Sequence, residues 1–216
     1  MASYESSHSG ESKQERVIKE FLQKYFYEKA YPQHEVASTQ GMHDKGIDII
    51  VPSYNGPEYQ CIKAQASPRY INHPNPTFSF ELMANDKDGA TYIGWYLRND
   101  LETHVYVLVW VNSAKTNNYG YINDAEDIEE LEILFLDKAE FKRYIADYVY
   151  DDALWETAQK MRNTRTTRIF LNQKMYTVFS DGMKEQPVNL VVKKHVLEDM
   201  AYQRFLVRKS AIQSLM

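Results

Sequence analysis

The sequence predicts an α/β protein with a mixed central sheet flanked by helices, followed by a C-terminal α+β extension. Residues 11–30 place apolar side chains in adjacent pairs every four residues, which predicts an amphipathic helix. Three short β-rich runs separated by turn residues follow Pro32. Residues 104–111 then form a valine-rich run that is typical of a strand buried on both faces. Together these elements indicate a sheet with helices packed against it.

The other elements follow from the same two periodicities. Alternating or β-branched runs predict strands at 34–38, 46–51, 59–66, 77–82, 104–111, 131–136, 167–171 and 175–180. Helical spacing predicts helices at 11–30, 90–99, 137–150, 151–163 and 193–210. Residues 172–174 join the last two strands as a hairpin, and Asp137 is positioned to cap the helix that it begins.

The distribution of charge along the 216 residues indicates how the chain is organised. We expect a polar leader at 1–10, a core at 11–115 and an extension at 116–216 that is basic from residue 151. Within the net charge of −5, residues 1–150 hold 14 Lys and Arg against 23 Asp and Glu, whereas the remainder holds 11 against 7. The basic part of the chain is therefore the part suited to a polyanion.

Composition excludes several classes of protein. Cys61 is the single cysteine, which rules out an internal disulfide or a Cys-based zinc site and favours a reducing, cytoplasmic setting. The longest strongly apolar run, 105–111, is far shorter than the roughly 20 residues that span a bilayer, so we expect no membrane span. The six histidines lack metal-ligand spacing, and the eight glycines form no phosphate-binding loop.

Two neighbouring predicted strands carry charges where apolar side chains are expected. Asp48 lies among isoleucines, and Lys63 lies in the next strand. Because alternate side chains of a strand share a face, Cys61, Lys63 and Gln65 point the same way. Two interpretations remain open at this point. The charges form a cross-strand salt bridge on a solvated face, or they belong to a functional site, since buried charges require a partner or a metal.

A family resemblance bears on this choice. A helix with an inward glutamate, a Gly-Ile-Asp-Ile strand and a following strand ending in Ile-Lys-Ala-Gln resemble the PD-(D/E)XK nuclease superfamily, particularly its Mrr-like and Holliday-junction-resolvase-like branches. The resemblance covers roughly residues 11–111, where the predicted order α-β-β-β-α-β matches the family core. It implies a restriction-endonuclease-like fold. It also implies a metal-dependent endonuclease that hydrolyses phosphodiester bonds, with DNA as the expected substrate, in restriction, repair or defence.

The resemblance implies a ligand set and a catalytic lysine. Asp48 would be the principal ligand of Mg²⁺ or Mn²⁺, and Lys63 would be catalytic. The helix acid would be Glu15, with Glu11 as the alternative, and the backbone carbonyl of Ile62 would complete the metal shell. These are the hard oxygen ligands that Mg²⁺ prefers, and a bound metal lowers the pKa of an attacking water.

Cys61 is where this sequence departs from the family. It stands two residues before Lys63, where the family has Glu, Asp or Gln, and a thiol adds little to a Mg²⁺ site. Gln65, on the same face, would lie near the substrate phosphate. A second hypothesis follows from the missing carboxylate. On this view the chain is a catalytically impaired nuclease-like domain that acts as a nucleic-acid- or protein-binding module.

Several basic residues could contact nucleic acid, the expected partner. They are Lys160, Arg162, Arg165 and Arg168 in the basic part of the chain, and Arg69 just beyond the motif strand. Such donors suit phosphate contacts, although an ordinary solvated helix end explains the first four equally well. Many related nucleases act as dimers, which makes a homodimer a further expectation from the resemblance.

Overall fold

The computed structural model describes residues 7–67 and 69–215, with side chains from Lys13 onward. The architecture is α/β, as predicted, with a mixed sheet, an antiparallel sheet and helices. Within the described residues, no helix combines the length and the apolar character that crossing a bilayer requires.

The elements, in chain order, have the following bounds. The helices are α1 (Ser7–Leu22), α2 (Glu28–Ala30), α3 (Gln40–Asp44), α4 (Lys138–Ala146), α5 (Asp151–Thr164) and α6 (Lys194–Met200). The strands are β1 (Glu35–Val36), β2 (Ile49–Ser53), β3 (Gly56–Ala64), β4 (Thr77–Asn85), β5 (Thr91–Ile93), β6 (Val105–Ser113), β7 (Ile128–Asp137), β8 (Arg168–Phe170), β9 (Met175–Phe179), β10 (Val188–Lys193), β11 (Gln203–Arg208) and β12 (Ile212–Ser214). A π-helical turn, Gln23–Tyr27, connects α1 to α2.

The chain divides into two compact units. The first contains the described residues up to Asn75 together with Glu102–Lys138 and the residues from Ala201. The second contains Pro76–Leu101 and Ala139–Met200. Each unit is assembled from separate stretches of the chain, so the two units cut across the predicted division at residue 115.

The first unit is built on a seven-stranded mixed sheet. The strand order is β1-β2-β3-β6-β7-β11-β12. β2 is antiparallel to both β1 and β3, whereas β3 is parallel to β6. The predicted strands at 46–51, 59–66, 104–111 and 131–136 are confirmed as β2, β3, β6 and β7.

Helix α1 packs its apolar stripe on one face of this sheet. Ile18, Phe21 and Leu22 are fully buried, in one hydrophobic cluster with Ile62 of β3 and Val107 of β6. The predicted helix at 11–30 is confirmed, since α1, the π-helical turn and α2 cover it. A polar contact joins the same layers, because the Tyr27 hydroxyl donates to Gln60 Oε1 at 2.7 Å.

The second unit is built on a five-stranded antiparallel sheet of order β5-β4-β10-β9-β8. Helix α5 buries Leu154, Ala158 and Met161, and packs against β4, β9 and β10. The predicted hairpin is confirmed as β8 and β9, and the predicted helices at 137–150 and 151–163 correspond to α4 and α5.

The predicted helix at 90–99 is wrong. β5 and turns occupy this segment, and β5 pairs with β4. Gly94 shows how closely this segment approaches β4. Its N–H donates to the Leu82 carbonyl at 2.8 Å, and a Cβ at Gly94 would lie 2.3 Å from the Glu81 carbonyl oxygen. Aromatic residues such as Tyr92 are enriched in strands, which favours the observed structure.

The predicted helix at 193–210 is wrong over its second half. Helix α6 ends at Met200, and β11 then pairs with β7. Residues such as Phe205 and Val207 favour a strand, and the tertiary pairing with β7 decides between the two structures. Strands β10 and β12 were not predicted.

Candidate functional site

Asp48 lies one residue before β2, at the point where β1, β2 and β3 meet. Its N–H donates to the Gln60 carbonyl at 2.9 Å, and its carbonyl accepts from the Ala37 N–H at 2.9 Å. Gly46, at a φ of 73°, provides the left-handed turn that leads from α3 into the strand. The sheet therefore fixes the backbone from which the Asp48 carboxylate projects.

Asp48 is 9% exposed, and side-chain or backbone groups of three elements lie close to its carboxylate. Lys19 Nζ, from α1, lies 2.6 Å from Oδ1, and the Ile62 N–H, from β3, donates to Oδ2 at 2.8 Å. His43 Nδ1, from α3, is 3.8 Å from Oδ1. A carboxylate that is this buried requires such partners, because an unpaired charge out of water is strongly unfavourable. The ion pair on Asp48 is thus made by Lys19.

Cys61 is 4% exposed, on the face of β3 that also carries Lys63. Burial raises the pKa of its thiol to about 11, and the nearby charges of Asp48 and Glu15 act in the same direction while Lys63 and Lys19 oppose them. The thiol is therefore protonated at neutral pH. All four charged groups lie within electrostatic range of this sulfur.

The hydrogen-bond pattern of β3 orients its backbone. The Gln65 N–H donates to the Val109 carbonyl of β6 at 2.9 Å, whereas the Ile62 N–H points the other way, to Asp48. Because the N–H and C=O of a strand residue point to the same side, the Ile62 carbonyl faces the side of Asp48. The Gln65 side chain is buried, and its Oε1 accepts from the Asn75 N–H at 3.2 Å.

These donors can be compared with what Mg²⁺ requires. Among the side chains that the structure describes, no group of three or more His, Cys, Asp or Glu is arranged to hold a metal. Mg²⁺ is commonly held by one or two carboxylates, with waters and substrate phosphates completing the shell. Asp48, Glu15 and the Ile62 carbonyl are oxygen donors of this kind, and Asp48 Oδ1 is paired with the Lys19 ammonium. The protonated Cys61 thiol does not fit such a shell. The side chain of Glu11, the alternative helix acid, lies outside those described.

The sequence patterns did not predict that Lys19 and His43 lie beside Asp48. Lys19 lies one helical turn after Glu15, on the edge of the apolar stripe, and this position was a signal that it faces the sheet. His43 lies in α3, in a stretch that was predicted to be a connection. No pattern in that short segment indicates that its imidazole approaches Asp48.

Arg162 has partners within its own unit. Its guanidinium donates to Asn85 Oδ1 at 2.5 Å and to Thr91 Oγ1 at 3.0 Å, and it lies 3.7 Å from the Met83 sulfur. Burial lowers its pKa. Arg162, one of the predicted phosphate-binding residues, therefore connects α5 to β4 and β5.

The other predicted phosphate-binding residues are exposed. Arg165 ends α5 at a φ of 52° and lies 3.7 Å from Asp181, and the Arg168 guanidinium lies 4.8 Å from the centre of the Tyr176 ring. Arg69 stacks loosely on Tyr70, with its guanidinium carbon 5.8 Å from the ring centre. Lys160 lies on α5. Their roles as nucleic-acid contacts remain predictions.

The comparisons with known proteins identify no relative. No protein-family model matches this chain, and neither a curated protein nor a solved structure is found to be similar to it.

Proposed function

We propose that this protein is a metal-dependent endonuclease of the restriction-endonuclease-like type, acting on DNA. One observation carries the proposal: the buried Asp48 carboxylate accepts a hydrogen bond from the Ile62 N–H at 2.8 Å, which places it beside the strand that carries Lys63. The strand order supports it, because a helix precedes a β1-β2-β3 meander and β6 lies parallel to β3. The segment between β3 and β6 departs from the expected order, because it contains strands β4 and β5 in place of a helix.

In this proposal, the oxygen donors near Asp48 would hold Mg²⁺ or Mn²⁺. The ligands would be Asp48, Glu15 and the Ile62 carbonyl. When bound, the metal would supply Lewis-acid polarisation of the phosphate and a lowered pKa of a coordinated water. A metal ion held by Asp48 would compete with Lys19, whose Nζ lies 2.6 Å from Asp48 Oδ1. Displacement of this ammonium is thus part of the proposal.

The protein groups have separate roles in this hydrolysis. The Lys63 ammonium stabilises the negative charge that develops on the attacked phosphate. The Ile62 amide holds the Asp48 carboxylate in one orientation, so Ile62 is a positioning residue. Cys61, protonated and buried, contributes no charge at neutral pH.

The second candidate function is nucleic-acid binding without cleavage. The specific observation in its favour is that both oxygens of Asp48 have protein partners, Lys19 and the Ile62 N–H. The position that would carry the second carboxylate holds Cys61 instead. A fold whose cation position is filled by its own lysine would recognise a phosphate backbone without hydrolysing it.

A cleavage assay tests the proposal. Supercoiled plasmid, linear duplex, single-stranded DNA and RNA would be incubated with the protein in Mg²⁺, Mn²⁺ or EDTA. We expect metal-dependent cleavage of DNA that falls by about 100-fold or more in Asp48→Asn and Lys63→Met. Asp48→Asn keeps a side-chain oxygen for the Ile62 amide, and Glu20→Gln, an exposed change on α1, is the matched control.

The outcomes separate the two candidates. Cleavage that survives in both Asp48→Asn and Lys63→Met would contradict the proposed centre. No cleavage by the native protein, with binding of DNA retained in EDTA, would establish the second candidate. Absence of both cleavage and binding would contradict both functions.

A further inference from the structure

The hairpin of the second unit presents aromatic and cationic side chains on one side of its sheet. Tyr176 of β9 lies opposite Phe170 of β8. The neighbours of Tyr176 along β9, Met175 and Thr177, are fully buried on the face that α5 covers. Because side chains alternate along a strand, Tyr176 and Phe170 lie on the opposite face. Phe170 is 68% exposed there.

The two rings form a small platform with a cation over it. The Phe170 and Tyr176 ring centres are 5.6 Å apart, and the Arg168 guanidinium lies 4.8 Å from the Tyr176 centre and 5.8 Å from the Phe170 centre. Single exposed apolar side chains are ordinary, whereas adjoining ones that form a patch mark an interaction surface. We call this group, with Asn172 and Lys193, the hairpin face.

An open concavity of about 530 Å³ adjoins the rings. Its lining is Phe170, Asn172, Gln173, Tyr176 and Lys193. Asn172 Oδ1 accepts from the N–H groups of Lys174 and Met175, at 2.7 and 3.0 Å, which fixes the orientation of the amide. Its Nδ2 is buried and has no hydrogen-bond partner among the described residues. The concavity therefore has an unused amide donor beside two aromatic rings.

The charge of this face selects the ligand. Arg168, Lys174 and Lys193 are exposed, and within the described part of the chain none of them is paired with a carboxylate. Unpaired cations around exposed rings are complementary to phosphates linked to flat bases. In a duplex the base faces are already stacked, so only an unpaired strand can place bases on these rings.

We propose that the hairpin face binds single-stranded nucleic acid, with a base stacked on Phe170 and Tyr176 and the backbone phosphates near Arg168 and Lys193. Asn172 Nδ2 would donate to a base edge or a phosphate. The inference goes beyond the proposed cleavage and is independent of it, because it concerns residues of the second unit alone and needs no metal.

Binding in EDTA tests this inference without interference from cleavage. Fluorescence anisotropy would compare labelled single-stranded DNA and RNA of about 12 nucleotides with a duplex of the same sequence. We expect single strands to bind more tightly than the duplex, and Phe170→Ala to weaken single-strand binding by about 5- to 100-fold. Arg168→Gln should weaken it as well, and comparison of the DNA and RNA arms reports any preference for the 2′-hydroxyl.

The control is Tyr150→Ala, which removes another exposed ring of the second unit. Phe170 and Tyr150 are both exposed, so neither change is expected to prevent folding, and circular dichroism verifies this. Equal binding by Phe170→Ala, Tyr150→Ala and the native protein would overturn the inference. Tighter binding of the duplex, or no binding of any strand, would also overturn it. Loss of cleavage with retained single-strand binding would leave the inference intact while contradicting the proposed function.

Discussion

The Asp48 site of the first unit and the hairpin face of the second use charge in opposite ways. Asp48 is buried, and both of its oxygens are held by Lys19 and the Ile62 amide. On the hairpin face, Arg168 and Lys193 are exposed and no carboxylate within the described residues pairs with them. A buried charge that loses its partner destabilises the fold, because the remaining charge is left uncompensated. Cations without partners can instead interact with a charged ligand.

The largest effect that this comparison predicts is on stability at Asp48. Asp48→Ala removes the partner of Lys19 and leaves the Ile62 N–H without its acceptor, so we expect it to lower the free energy of unfolding by about 3 kcal/mol. Urea unfolding at pH 7 measures this change. Asp48→Asn should cost clearly less, because it can still accept from Ile62. Equal stability of Asp48→Ala and the native protein would mean that the buried contacts are absent in solution.

The Cys61 thiol makes the same site sensitive to alkaline pH. Burial raises its pKa from an ordinary value near 9 to about 11, so the folded state holds this proton more tightly than the unfolded chain does. The resulting stability is present below pH 9 and is lost as the pH rises towards 11, by an amount on the order of 2 kcal/mol. Urea unfolding of the native protein and Cys61→Ala should therefore differ less at about pH 10.5 than at pH 7. The same difference at both pH values would show that the thiol is open to water.

Arg162 extends the comparison to a partnered charge of the second unit, because its guanidinium is hydrogen-bonded to Asn85 and Thr91. We expect Arg162→Met to lower the free energy of unfolding by about 1–2 kcal/mol, since Asn85 and Thr91 lose a donor. Thermal unfolding measures this change, and Lys160→Gln on the same helix is the control with no expected loss. If Arg162→Met leaves the stability unchanged and weakens DNA binding, Arg162 contacts phosphate and its contacts do not support the fold.

The smallest expected effect concerns the exposed cations at the end of α5. The double variant Lys160→Gln with Arg165→Gln should reduce the slope of log binding constant against log salt by less than about 2, because each phosphate contact contributes roughly 0.7–0.9. DNA binding measured between about 50 and 200 mM salt checks this. An unchanged slope would restrict phosphate contacts to other residues, such as those of the hairpin face.

The central strands of the first sheet were predictable because their apolar residue patterns match their buried positions in the fold. Residues 105–111 are valine-rich and form the buried centre of β6, and the 11–30 stripe packs as a helix. The 90–99 segment was mispredicted because its aromatic residues satisfy either periodicity. There, the close approach of Gly94 to the Glu81 carbonyl holds the end of β5 against β4, and that contact is not visible in the sequence.

The candidate site was predictable only in part. Strand alternation places Cys61 and Lys63 on one face, and the motif spacing brings Asp48 next to them. Lys19 could not be identified as the partner of Asp48, because pairing across 29 residues depends on how α1 sits on the sheet. The aromatic pair of the hairpin face was also missed. Phe170 and Tyr176 become neighbours only through the register of β8 and β9.

Binding of Mn²⁺ is the most direct test of the proposal that Asp48 holds a metal ion in competition with Lys19. Isothermal titration would compare the native protein with Lys19→Met, with Asp48→Asn, and with Lys13→Met as an exposed control on α1. We expect binding by the native protein, about tenfold tighter binding in Lys19→Met, and none in Asp48→Asn. Equal affinity in Lys19→Met and Asp48→Asn, or no binding in any of the four proteins, would contradict it.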